Sequence, residues 1–140
     1  MRRRVLIAAL AGLSGATPSQ AAVAAEPLRG NEFALMTTAM FMTCKFKFDL
    51  AIIKPEKSKE AHQCMEDLRS SGQNYYIRAL PSLSGNQSAL SLTKDYNAYW
   101  LAHLLDLRPM AGETSRAYGV RMDKITTELR TRRERIALAE

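Results

Sequence analysis

The chain has 140 residues, of which 46% are apolar, with 20 Lys and Arg against 14 Asp and Glu, a formal net charge of +6, and two Cys. That is enough chain for one domain, and too little for a two-domain nucleotide-dependent enzyme. It is too apolar for a disordered chain and carries no low-complexity bias.

Met1-Arg2-Arg3-Arg4 is a positive stretch, Val5 to Leu13 an apolar run of nine, and Ala22-Val23-Ala24 an A-x-A cleavage site. This three-part pattern predicts a secretory signal peptide over residues 1–24, with a second candidate cut after Ala21, and a single helical domain over residues 25–140. The apolar run is well short of the ~20 residues a spanning helix needs, so no membrane anchor is expected after cleavage. The expected location is periplasmic or secreted. Without Arg2, Arg3 and Arg4, 17 basic residues face 14 acidic ones, leaving +3. Most of the basic excess belongs to the leader, and nucleic acid is not expected as a partner. Export also predicts that Cys44 and Cys64 join as a disulfide, the single intramolecular pairing two Cys allow.

The first element is a helix over Asn31–Ile53, with Asn31 as N-cap and Glu32 in the first turn. The alternation of Phe46, Phe48, Leu50 and Ile52 would also suit a strand, but a lone strand has no partner for its backbone groups. Two apolar stripes run along this helix. One contains Phe33, Met36, Met40, Cys44, Phe48 and Ala51; the other contains Leu35, Ala39, Met42, Phe46, Leu50 and Ile53. Two stripes imply a central helix, or one that also faces a partner. Asp49 is expected to pair with Lys45 one turn away.

Lys54-Pro55 ends that pattern, and Pro55 suits the start of a second helix. Ala61, Cys64 or Met65, Leu68, Gly72, Tyr75 and Ala79 form its stripe, which favours a helix continuous or kinked through Gly72 over one that Ser70-Ser71-Gly72 ends, with Tyr75–Leu80 as a short second piece. Residues 81–87 read as a loop. A third helix is expected over Ser88–Leu107, with Leu92, Tyr96, Tyr99 or Trp100, His103 or Leu104, and Leu107 on its apolar face. A fourth is expected over Thr114–Leu138, with Tyr118, Met122, Ile125, Leu129 and Ile136 inward. The class is all-α, an antiparallel four-helix bundle stapled by one disulfide. Cys44 and Cys64 lie ten residues either side of Lys54, at one level of the first hairpin.

No local signature of a catalytic triad, a zinc hydrolase or a phosphate loop is present, and no catalytic residue is assigned. His62 is expected at the solvent edge and His103 in the core. A zinc site from Cys44, Cys64 and His62 would need free thiolates, and no metal or other cofactor is expected. Two surface features stand out. Arg130, Arg132, Arg133 and Arg135 can bind an anion or an acidic partner, and Tyr75, Tyr76, Tyr99 and Trp100 are adjacent aromatic pairs of the kind found in interfaces. The function these point to is a small exported binding protein without catalytic activity, of the inhibitor, immunity or envelope-chaperone kind. Its partner is a protein or an anionic envelope component, and a homodimer through the first helix is a further expectation. The alternative is a bundle holding b-type haem or a metal through His103 and a methionine.

Overall fold

A computed structural model describes residues 25–140. The signal peptide assigned to residues 1–24 lies outside the described residues. Four helices follow one another: α1 Gly30–Ile53, α2 Ser58–Ala79, α3 Gln87–Ala102 and α4 Ser115–Ala139. There is no strand among the described residues, so the helical reading of Phe46–Ile52 holds.

Contacts step in opposite directions along neighbouring helices, as an antiparallel arrangement requires. From α1 to α2, Phe33 meets Tyr76, Cys44 joins Cys64, and Phe48 meets His62. From α1 to α4, Gly30 bonds to Glu140, Lys45 to Asp123, and Asp49 to Ser115. From α3 to α4, Asn86 bonds to Ala139 and Asp95 to Arg132. The core lies between them. Phe33, Phe41 and Phe48 enter it from α1, Met65 and Leu68 from α2, Tyr96 and Trp100 from α3, and Tyr118, Met122 and Leu129 from α4.

The helix ends explain several boundaries. Glu32 accepts from the backbone N–H of Arg29 at 2.8 Å; the N-cap is therefore Arg29 and not the expected Asn31, which lies inside the first turn of α1. Two further N–H groups of that end, those of Gly30 and Asn31, donate to the Glu140 carboxylate at 2.6 and 3.1 Å. The side chain of the residue that follows the last helix thus satisfies donors that α1 cannot satisfy internally. Gly30 is needed there, because a Cβ would come within 2.6 Å of Thr93 Oγ1. Pro55 opens a 3-10 turn, Pro55–Lys57, and α2 begins only at Ser58. Thr114 caps α4 by accepting from Ala117 N–H at 3.2 Å.

α2 runs unbroken through Gly72, where Trp100 occupies the space a side chain would take. A Cβ at Gly72 would sit 2.8 Å from both Cη2 and Cζ2 of the buried indole. α3 is shorter than expected. It ends at Ala102, and a 3-10 turn, Leu105–Leu107, carries Leu104 and Leu107 into the core. Two interior phenols tie elements together. Tyr96 donates to Ala34 O at 2.9 Å and lies 2.7 Å from Thr38 Oγ1, and Tyr118 donates to Leu107 O at 2.9 Å. Burial pushes both phenols up from their ordinary value.

The disulfide forms as expected, with Cα atoms 5.5 Å apart. Helices at their usual spacing of ~8–10 Å are too far apart for this bond. Ala61, wholly buried one turn before Cys64, is small enough to allow the closer approach.

Candidate functional site

The arginine run does not form one face. Successive helical residues turn by about 100°, so Arg130 and Arg133 fall on one side of α4 and Arg132 and Arg135 on the other. Arg130 leans to α1, its Nη2 3.4 Å from Met42 Sδ. Arg132 leans to α3, where it pairs with Asp95 and with Glu128 and lies over the Tyr99 ring at 4.4 Å. Its charge is already met by two carboxylates. Arg130 and Arg135 are exposed, and Arg133 is half-buried. The four residues therefore do not act as a single anion site.

The aromatic pairs are also largely used inside the protein. Trp100 is wholly buried against Gly72 and is not a surface residue, which corrects the expectation for it. Its Nε1 donates to Asn97 at 3.0 Å. Tyr76 is half-buried with its ring 5.5 Å from that of Phe33. Tyr75 is half-buried at the edge of the core. Tyr99 lies between Arg132 and His103, whose ring centroid is 4.4 Å from its own.

His103 is not a core residue. α3 stops just before it, so the helical period that would have turned it inward no longer applies. Its side chain is about a third exposed, and Nδ1 lies 2.7 Å from Asp106. His62 is at the exposed edge, with Nδ1 2.8 Å from the Ser58 carbonyl and its ring edge-on to Phe48. Cys44 and Cys64 are bonded to each other, so their sulfurs are not open to a metal. Among the described residues, no group of three His, Cys, Asp or Glu side chains is placed to hold a metal ion.

Asp49 does not pair with Lys45. Lys45 reaches Asp123 of α4 at 2.6 Å, and Asp49 accepts from Ser115 at the start of α4. A neighbouring helix supplies better-placed partners than the next turn of the same helix does.

Two open clefts reach the volume of small-ligand sites, of order 300–1,000 Å³. One, of ≈ 490 Å³, lies between the α1–α2 turn and the α3–α4 connection, beside Phe48, Ile52, His62, Arg108 and Glu113. Glu113 there is committed to Arg121, through hydrogen bonds of 2.9 and 2.8 Å that hold its carboxyl below the usual range. The other, of ≈ 470 Å³, is a groove along α4 at Ala117, Val120, Arg121 and Lys124. The first cleft also holds Ser58, whose Oγ lies 3.4 Å from His62 Nδ1, but that nitrogen faces the Ser58 carbonyl at 2.8 Å and Glu113 is bonded to Arg121, so the three form no relay; the groove along α4 has no histidine or carboxylate in its lining.

The feature that stands apart is the outer face of α1. Phe33, Phe41, Cys44 and Phe48 point inward and are 0–1% exposed. The second stripe points the opposite way: Leu35 is 49% exposed, Phe46 67% and Ile53 67%. Ala39 and Met42 are exposed between them, and Leu50 is half-exposed. Leu35 to Ile53 spans 18 residues, about 27 Å of helix. Scattered surface apolar residues are normal, but a row along one whole helix is the pattern of an interaction surface. Its three- and four-residue spacing is visible in the sequence; which of the two stripes turns outward is decided only by packing.

The chain matches no known family model, no curated protein and no solved structure.

Proposed function

We propose that this is a small exported helical binding protein, periplasmic or secreted, that works by association and not by catalysis. The observation that carries the reading is the outward apolar stripe of α1, which a helix needing only to fill its own core would not have. The compartment is supported by the leader-like residues 1–24 and by the Cys44–Cys64 bond, which suits an oxidising environment. No helix among the described residues is long and apolar enough to cross a membrane. The partner class is a protein with an apolar surface of its own; an anionic envelope component is the poorer fit, because the four arginines diverge.

The test is capture from envelope extract and from anionic lipid vesicles, using the oxidised protein and its Phe46→Asp and Arg130→Ala/Arg133→Ala variants. Expected is a protein retained in stoichiometric amount and lost with Phe46→Asp. Retention that ignores Phe46→Asp, or nothing retained from extract shown to be active, would overturn the proposal. Vesicle binding lost only with the arginine pair would replace the protein partner by a lipid surface.

A further inference from the structure

The outer face of α1 is complementary to itself, and we infer that a second copy of this chain docks on it, α1 against α1 in antiparallel orientation about a two-fold axis near Met42–Thr43. The inference rests on the reading of this stripe as an interaction surface and names its occupant.

Shape is the first ground. With the axis between residues 42 and 43, Phe46 of one copy faces Ala39 of the other, and Leu35 faces Leu50. The largest exposed ring then meets the smallest residue of the stripe, twice, because a two-fold contact is made reciprocally. Phe46 is two-thirds exposed and Ala39 has an open surface to receive it.

Charge is the second ground. Glu32 lies on the α2 side of the stripe at its start, and Lys54 on the same side at its end; both are exposed. The in-plane two-fold keeps a flank on its own side while reversing the helix, so Glu32 of each copy comes level with Lys54 of the other. The opposite flank belongs to α4. Asp123 lies at the level of Lys45 and is 70% exposed, and Arg130 lies beside Met42. Because α4 runs antiparallel to α1, the same axis brings Arg130 of one copy to the level of Asp123 of the other. Four opposite-charge pairs result. A parallel two-fold carries each flank to the opposite side and keeps every residue at its own level, so Glu32 would not reach Lys54 of the other copy, and the two helix dipoles would align with like ends together. Antiparallel packing is favoured on both counts.

Area is the third ground. The 24 residues of α1 make a helix about 36 Å long. Across about two helix widths, roughly 20 Å, the contact covers about 700 Å² on each copy, close to the ~800 Å² per partner of stable complexes.

The experiment is sedimentation of the disulfide-bonded protein, as its host processes it, over a range of concentrations, for the natural chain and four variants. The natural chain is expected to be dimeric in the micromolar range. Phe46→Asp, outside the core, is expected to weaken the dimer about 30-fold or more while leaving the melting temperature of the monomer unchanged. Arg130→Asp and Asp123→Arg are each expected to weaken it about fivefold, and the double variant to recover most of the loss. A natural chain that stays monomeric at about 100 µM overturns the inference, as does a dimer indifferent to Phe46→Asp. A double variant no tighter than the single ones overturns the antiparallel register. A monomer that still captures a protein from extract defeats this inference alone; a dimer that captures nothing defeats only the reading that the chain binds other molecules.

Discussion

The two helical hairpins of this protein solve the same problem by different means. α1 and α2 are joined by a short connection, 54–57, and are bonded covalently about a third of their length from that turn. α3 and α4 are joined by a longer one, 103–114, and no covalent link holds them. There, Arg121 bonds both oxygens of Glu113 and the carbonyls of Asp106 and Arg108, at 2.5–3.1 Å. A short turn leaves few backbone groups to satisfy, so a single bond suffices to set the register. A longer connection exposes carbonyls that need donors, and one guanidinium with five N–H groups supplies several of them at once. The first hairpin resists unfolding through the unfolded state; the second depends on polar groups that respond to pH.

Breaking the covalent link should have the largest effect. Cys44→Ser/Cys64→Ser frees a loop with a sequence separation of 20, worth about 3 kcal/mol in the chain-entropy picture. For a domain of this size the melting temperature should fall by about 10 °C or more, read by circular dichroism. A fall of under about 3 °C would mean that packing alone holds the first hairpin. Next comes the contact between the two hairpins. Gly72→Ala would drive a methyl into the buried indole of Trp100, and overpacking of this kind costs about 1–3 kcal/mol. Chemical denaturation should show the loss together with a changed tryptophan fluorescence; an unchanged midpoint would show that Trp100 is free to move aside. The smallest effect belongs to the polar clamp. The Arg121 hydrogen bonds hold the Glu113 carboxyl below its ordinary value of 4.5. The stabilisation this gives is complete above about pH 4.5 and is lost as pH falls through the lowered value. Melting temperatures of the natural chain and Glu113→Gln, compared between pH 7 and pH 3, should therefore converge on the acid side. Parallel curves would remove Glu113 from the acid response.

Much of the fold could be read from residue order. The three- and four-residue spacing of Phe33, Cys44 and Phe48 showed one buried face of α1, and the equal distance of Cys44 and Cys64 from Lys54 placed the disulfide. What escaped were effects between distant residues. Nothing near Gly72 announces that an indole from α3 rests on it. The expectation that His103 is buried assumed that α3 continues, whereas the chain turns at Ala102. Asp49 was paired with its neighbour in sequence, yet the partner it found was Ser115 in another helix. The dispersal of Arg130 to Arg135 was legible in principle, since helical rotation alone separates them, but a run of like letters is easily taken for a patch. The outer stripe of α1 was visible as a pattern, and only the packing of the other three helices decided that it would be left facing out.

The carboxylate of Glu140 on the first turn of α1 joins residues 110 positions apart. Loop closure over so long a stretch is costly until intervening contacts have shortened the effective distance, so this bond belongs to the end of folding and not its beginning. Until α4 has packed, the N–H groups of Gly30 and Asn31 have water as their partner, and Glu32 alone tends that end of α1. A helix end in that state opens more readily than the helix middle. The contact that pins the start of α1 is thus one that only the assembled bundle can make.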